Sequence, residues 1–180
     1  MPPRHAWNLE KVISGGQTGA DQGGIAAAKF VNYATGGTAP KKFMTEDGPA
    51  DWLGLEFGLR ASPVDSYKSR TYKNVLDADA TIIFPGLNLP TPTREAGDRP
   101  LSFRDLCAQF HLEDGSAYTV ELCLAHHRPF MINPDKPEQV REFIFAIGMK
   151  TLNIAGKRES KAPGMFDWVY EMMVEGLMPF

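Results

Sequence analysis

The stretch of this chain with the most chemistry in it is Lys11–Gly24, KVISGGQTGADQGG. Val12-Ile13 is a short apolar run that reads as the end of a buried strand. Ser14-Gly15-Gly16-Gln17-Thr18-Gly19 follows as a turn with three glycines in six residues. Asp21 to Val31, which holds Ile25-Ala26-Ala27-Ala28, has the composition of a helix. Strand, glycine-rich turn and helix is the layout that aims free backbone N–H groups at an anion, and the helix N-terminus adds its partial positive charge. No Lys-Ser/Thr follows the turn, so it is not a Walker A loop, and the spacing misses G-x-G-x-x-G. Thr18-Gly19-Ala20-Asp21 also fits a capping box, with Thr18 as N-cap and Asp21 at N3. Two readings stand: an anion loop made by Gly15, Gly16, Gln17, Thr18 and Gly19, or a well-capped helix with no ligand. A carboxylate at Asp21 repels a phosphate at that helix end but accepts from a sugar hydroxyl. A valine at Gly16 is expected to block an anion's approach and leave the fold intact.

Other residue types are less specific. Lys41-Lys42 can reach an anion held by the first loop, or be a solvated basic pair. Glu121, just after a second glycine turn, is the best-placed carboxylate for acid/base work; otherwise it is a solvent-facing helix residue. Cys123, His126 and His127 have helical spacing for a metal, but no fourth ligand is evident. Cys107 has no basic neighbours that mark a nucleophile. There is no G-x-S-x-G elbow.

The elements that would position these groups alternate. Gly36-Gly37 reads as a turn, and Thr45-Glu46-Asp47-Gly48-Pro49 as strong turn chemistry. Leu55, Phe57 and Leu59 alternate, which suggests a strand over Trp52–Leu59. Ser66–Ala78 reads as a helix capped by Ser66 or Ser69, with Arg70 and Asn74 on one face. Ala80–Phe84, ATIIF, looks like a buried parallel strand. Pro85–Asp105, with four prolines and three arginines, reads as an inserted flap, a lid or a flexible surface loop. Phe103–His111 is a short helix. Glu113-Asp114-Gly115-Ser116 is an acidic-glycine turn whose Ser116 caps a helix over Tyr118–His126. Pro129–Asn133 is a strand, Pro137–Ile147 a helix with Pro137 at N1, Thr151–Ile154 a strand, and Met165–Leu177 a final helix. This alternation argues a parallel sheet flanked by helices, with two glycine turns facing one crevice where the strand order switches.

The 180 residues, 43% apolar, suit one domain. A net charge of −3 and a pI near 5.8 point away from nucleic acid and anionic membranes. Two cysteines are too few for a disulfide framework and suit a reducing compartment. Neither a signal peptide nor a bilayer-length apolar run is evident, so the expected setting is the cytoplasm.

Five stretches, in order, resemble one family: ISGGQTGADQGG, APKKFMTEDGP, YKSRTYKNVLDADATIIF, GSAYTVELCLAHHRPF and TLNIAGKRESKAPG. They look like the molybdenum-cofactor carrier family of the SLOG superfamily, Rossmann-like proteins related to the LOG (lysine-decarboxylase-like) phosphoribohydrolases. The match runs over most of Val12–Leu177, except Pro85–Glu113. The resemblance implies an α/β fold: a Rossmann-like three-layer sandwich with a mostly parallel sheet, one domain over 1–180 with a flap at about 85–113. It implies that Gly15–Gly19 holds a phosphate or pterin-phosphate group. It implies a second anion loop at Gly115–Thr119, with Ser116 and Thr119 donating. Arg70, Thr71 and Asn74 match the family's R-T-x-x-N helix, expected at the same cleft. Gly156, Arg158, Glu159 and Ser160 match its A-G-x-R-E-S loop.

Two departures stand out. Asp114 replaces the first glycine of the family's second loop, and the insertion is longer than expected. In LOG enzymes a P-G-G-x-G-T-x-x-E motif supplies a catalytic Glu; Glu121 falls close to that place but out of register. The expected function is binding of the molybdenum cofactor, a phosphorylated pterin, or a nucleotide-like ligand. The alternative is a phosphoribohydrolase acting on a nucleoside monophosphate. No nucleic acid or membrane partner is expected, and a homo-oligomer, dimer or tetramer, is.

Overall fold

The computed structural model describes residues 7–89 and 101–180. Most of the proline-rich stretch read as a flap, 90–100, lies outside the described residues. In chain order, β1 (Lys11–Ser14) leads to α1 (Ala20–Phe30) and β2 (Ala34–Gly36). A small excursion follows: β3 (Thr38–Ala39), a 3-10 turn at Lys41–Phe43, the hairpin β4 (Met44–Thr45) and β5 (Gly48–Pro49), α2 (Trp52–Phe57) and β6 (Arg60–Ala61). Then come α3 (Tyr67–Asp77), β7 (Ala80–Phe84), α4 (Phe103–Phe110) and α5 (Asp114–Ala125). The chain ends with β8 (Phe130–Ile132), α6 (Pro137–Ile147), β9 (Thr151–Gly156) and α7 (Met165–Gly176).

Five strands form one sheet in the order β2-β1-β9-β7-β8, every pair parallel. The last strand in the chain therefore lies in the middle of the sheet. Strands with helices on both faces must be apolar on both, and every residue of ATIIF is buried. Alternation sends Ile82 and Ile83 to opposite sides. Ile82, Val12, Leu152 and Ile154 pack with Ala27, Ala28, Met165, Val169 and Met173 of α1 and α7. Ile83 packs with Leu106, Phe110 and Val120 of α4 and α5. Each such side chain stabilises the fold by about 1.5–3 kcal/mol on burial. The register is pinned by Asp79, whose carboxylate accepts from Lys150 N–H and Thr151 N–H, each at 2.9 Å. The result is the α/β, Rossmann-like arrangement expected, with helices on both faces of a parallel sheet.

Four local expectations change. Trp52–Phe57 is a helix, stopped by Gly58 in the left-handed region at φ 69°. The alternating residues do not share a buried face: Leu55 is 88% exposed, while the buried anchors are Leu53 and Leu59. Thr18 does not cap α1; the cap position falls on Gly19, and the Thr18 hydroxyl donates to Glu46 instead. The helix α5 begins at Asp114, so Ser116 sits in its first turn rather than at its cap. Of the two caps expected for α3, Ser66 is the one used, accepting from Ser69 N–H.

The fourth change concerns Gly16. Its φ is +73°, and a Cβ there would lie 2.7 Å from Leu59 Cδ2 and 3.0 Å from Leu53 Cδ1. The side chain would enter the small core of Ile25, Ala39, Leu53 and Leu59, not the path of a ligand. Gly16→Val therefore combines a left-handed β-branched residue with overpacking, each costing about 1–3 kcal/mol. We expect chemical denaturation to show a loss of about 2–5 kcal/mol in this variant; unchanged stability would contradict the placement.

Candidate functional site

Ser14 pairs with Ile154 and Phe84 with Gly156, so the carboxyl ends of β1, β9 and β7 lie side by side. From β1 the chain crosses toward β2, and from β7 toward β8, on the other side of β9. That is the switch in strand order beyond which α/β sheets hold ligands. Two adjoining spaces open there. An inner chamber of about 20 Å³ is lined by Gly15, Asp21, Arg70, Thr71, Asn74, Thr119 and Asn153. An outer cleft of about 380 Å³ is lined by Glu113, Asp114, Lys157, Arg158 and Lys161. Tyr67, Gly115, Ser116 and Gly156 border both.

Arg70 is the centre of the inner chamber and is only 4% exposed. Its Nη1 donates to Gly15 O at 2.8 Å and reaches Asp21 Oδ2 at 3.4 Å. The Tyr67 ring covers its other side, 4.6 Å from the guanidinium carbon. Gly15 has no side chain because the guanidinium fills the space where a Cβ would be. Burial pushes the Asp21 carboxyl above the usual carboxylate range, and Arg70 and the Gln17 N–H offset only part of that. Arg70 Nε and Asn153 Oδ1 are buried with no hydrogen-bond partner among the described residues.

Four amides of the glycine loop and the start of α1 have partners within the protein. Gly16 N–H donates to Ser14 Oγ, Gln17 N–H to Asp21 Oδ2, Thr18 N–H to Gln17 Oε1 and Ala20 N–H to Lys157 O. The carboxylate of Asp21 is the anion that this helix end holds. Asn74 is likewise occupied: its Nδ2 donates to Thr38 O at 2.9 Å and its Oδ1 accepts from Thr38 N–H at 2.8 Å. Thr71 donates to Tyr67 O, and Thr119 donates to Gly115 O at 2.7 Å. Ser116 Oγ makes no hydrogen bond among the described residues.

The outer cleft has a different character. The first turn of α5 opens onto it, and Glu113 at the N-cap makes no side-chain cap. Asp114 holds φ at +43°, a conformation that Asp tolerates better than most residues in place of glycine. Lys157 lies 3.5 Å from Glu113 and Arg158 4.0 Å from Glu46, and Lys161 is exposed. Three cations thus stand among three carboxylates, Glu46, Glu113 and Asp114, around the mouth of the helix.

A clasp holds the walls together. Glu46, from the β4–β5 turn, accepts from the hydroxyls of Thr18 and Ser160 and from Ser160 N–H. Desolvation raises the Glu46 carboxyl, but those hydrogen bonds and Arg158 outweigh it and lower it overall. Gln17 Oε1 also accepts from Glu46 N–H at 3.0 Å. Glu159 is spent on α7, accepting from Gly164 N–H and Phe166 N–H at 2.5 and 2.9 Å.

Two expected residues stand apart. Lys41 is exposed in the 3-10 turn, and Glu121 is exposed on α5; neither lines the chamber or the cleft. Cys123 is buried beside Val75 and Leu122, its thiol pushed up to about 11 by burial, while His126 packs edge-on to Tyr72. Tyr67, Asn153, Lys157 and Lys161 also line the site and Glu46 braces it, beyond the residues that the sequence motifs mark. Asn153 had a signal, a polar residue inside the buried run TLNI. Tyr67 had one too, three residues before Arg70 on the same helix face.

The Arg70–Asp21 contact makes a testable demand. Arg70→Met leaves Asp21 buried without its cation, which costs about 3–5 kcal/mol. A carboxyl whose folded pKa is raised loses stability as pH rises through that pKa and regains it as pH falls. We expect urea unfolding to show the full deficit at pH 7 and a smaller one at pH 5; a deficit that grows on acidification would refute the pairing.

Known proteins place this geometry. A family model described as the circularly permutated YpsA SLOG family matches residues 12–177. Among curated proteins none matches the chain. A crystal structure from Syntrophus aciditrophicus SB, named "Putative molybdenum carrier protein", superimposes with a TM-score of 0.74 at 26% identity, covering 95% of this chain and 96% of that one. A sheet whose central strand comes last in the chain is in keeping with a permuted order. The match spans nearly the whole chain, and the chain belongs to the circularly permutated YpsA SLOG family.

Proposed function

We propose that this protein binds a small phosphorylated organic ligand, a pterin phosphate of the molybdenum-cofactor type, in the outer cleft, and acts as a carrier. The observation that carries this reading is the cleft of about 380 Å³ where the first turn of α5 meets Lys157, Arg158 and Lys161. That volume lies in the range of small-ligand sites. A helix N-terminus with nearby cations suits a phosphate. The first glycine loop supports the site as a wall, because the amides of Gly16, Gln17 and Thr18 are already paired. Similarity to the Syntrophus protein supports a molybdenum-related cargo. Ligand contacts are assigned to Gly115, Ser116, Arg158 and Lys161, with Arg70 and Asp21 behind them.

Hydrolysis of a nucleoside monophosphate is the less favoured reading, since Glu121 lies outside the cleft wall. The protein is read as working in the cytoplasm, as a dimer or tetramer that native mass spectrometry would resolve.

The test is a thermal-shift panel with pterin phosphates, nucleoside monophosphates and molybdate. A ligand at a hundred times its Kd adds about 2.7 kcal/mol of stability, a readable rise in Tm. A rise with pterin phosphate is expected, reduced roughly tenfold in affinity by Arg158→Ala with Lys161→Ala and weakened by salt. Glu121→Gln should leave binding unchanged. A rise with nucleotides together with release of free base would replace the carrier reading by the hydrolase.

A further inference from the structure

We propose a second anion site at the amino ends of β1 and β9: a pocket that takes a small phosphate anion charged at two ends, of the diphosphate class. The pocket holds about 390 Å³ and shares no lining residue with the chamber or the cleft, so it is independent of the carrier reading. Helix α3 reaches both places. Tyr67 and Arg70 border the crevice, while Lys73 and Asp77, further along the helix, border the pocket.

Two cross-strand pairs build the site. Lys11 is the register partner of Thr151 across β1 and β9, and Arg60 is the partner of Thr38 across β3 and β6. Residues paired on neighbouring strands lie about 4.8 Å apart and share a face of the sheet. Each pair therefore sets a cation beside a hydroxyl. Gly36 leaves room for the Lys11 chain, whose Cε would lie 2.9 Å from a Cβ there. Asn74 ties the Thr38 wall to α3 by bonding both its N–H and its C=O.

These groups are unspent. The side chains of Lys11 and Arg60 make no ion pair or hydrogen bond among the described residues, and neither do the hydroxyls of Thr38 and Thr151. Thr38 is only 7% exposed, so its hydroxyl is a nearly buried group without a partner. Asp77 is the one carboxylate in the lining, and Lys73 meets it at 2.8 Å. Asp79, two residues on, is turned to the amides of Lys150 and Thr151. Two uncompensated cations and two hydroxyl donors remain, a set that suits phosphoryl oxygens. No aromatic ring lines the pocket, so nothing there stacks a base or a pterin. Two cation–hydroxyl pairs, one from each of two sheets, suit an anion with charge at both ends.

Isothermal titration calorimetry with inorganic diphosphate and inorganic phosphate tests this on the full chain and on Arg158→Ala with Lys161→Ala, which weakens the cleft. Saturable diphosphate binding is expected in both proteins with the same affinity, at least about tenfold tighter than phosphate and weakened by salt. Lys11→Ala with Arg60→Ala should lower the diphosphate affinity at least about tenfold, since each lost charge-assisted hydrogen bond is worth that much. Both side chains are exposed, so their truncation leaves the fold intact. Thr38→Val, which keeps the side chain's shape, should weaken diphosphate about threefold or more. Unchanged affinity in Lys11→Ala with Arg60→Ala, or a loss confined to Arg158→Ala with Lys161→Ala, would overturn the pocket and assign the anion to the cleft. No saturable binding would overturn the site outright, and equal affinity for phosphate and diphosphate would overturn the two-ended class.

Discussion

The crevice depends on one buried charge. Arg70 sits beneath Tyr67 and against the bare backbone of Gly15, almost removed from water. A guanidinium there is tolerable only with acceptors close by. Gly15 O and Asp21 supply them, and that requirement shapes the first loop. The loop turns inward so that Asp21 reaches Arg70, and the amides of Gly16, Gln17, Thr18 and Ala20 find partners inside the protein. A stretch composed like a phosphate loop thereby spends these amides on the protein's own acceptors.

The position of β9 explains how distant segments share this crevice. Lying between β1 and β7, it delivers Gly156, Lys157 and Arg158 beside the first loop and opposite α5. Glu46 then bridges the first loop and the loop after β9 through Thr18 and Ser160. Three of the residues that looked ligand-like, Thr18, Glu159 and Ser160, are engaged in this scaffolding. Their polar groups hold the cleft's shape and leave Arg158 and Lys161 at its rim.

Much of the fold could be read directly. ATIIF is a buried strand because nothing polar interrupts it, and α6 runs over the same residues that its proline start and apolar spacing indicate. The strand at Trp52–Leu59 failed because alternation in a short segment carries no information about which residues find a core. Only the packing of Leu53 and Leu59 against Ile25 decided it. In the site, Gly15, Arg70, Thr71, Gly115, Ser116 and Thr119 do meet, and Lys41 and Glu121 do not. A lysine or glutamate has the same type wherever its helix face points.

The sequence by itself determined the βα order, the strand and helix spans with strong periodicity, and the family, because these depend on local residue types and spacing. Tertiary structure alone decided where polar atoms end up. Whether an amide in a glycine loop is free, whether Asn74 faces a ligand or the backbone of Thr38, and whether Asn153 is left with an unpaired oxygen depend on partners far along the chain. A hydrogen bond is set by distance and angle in space, and no spacing within a segment encodes that.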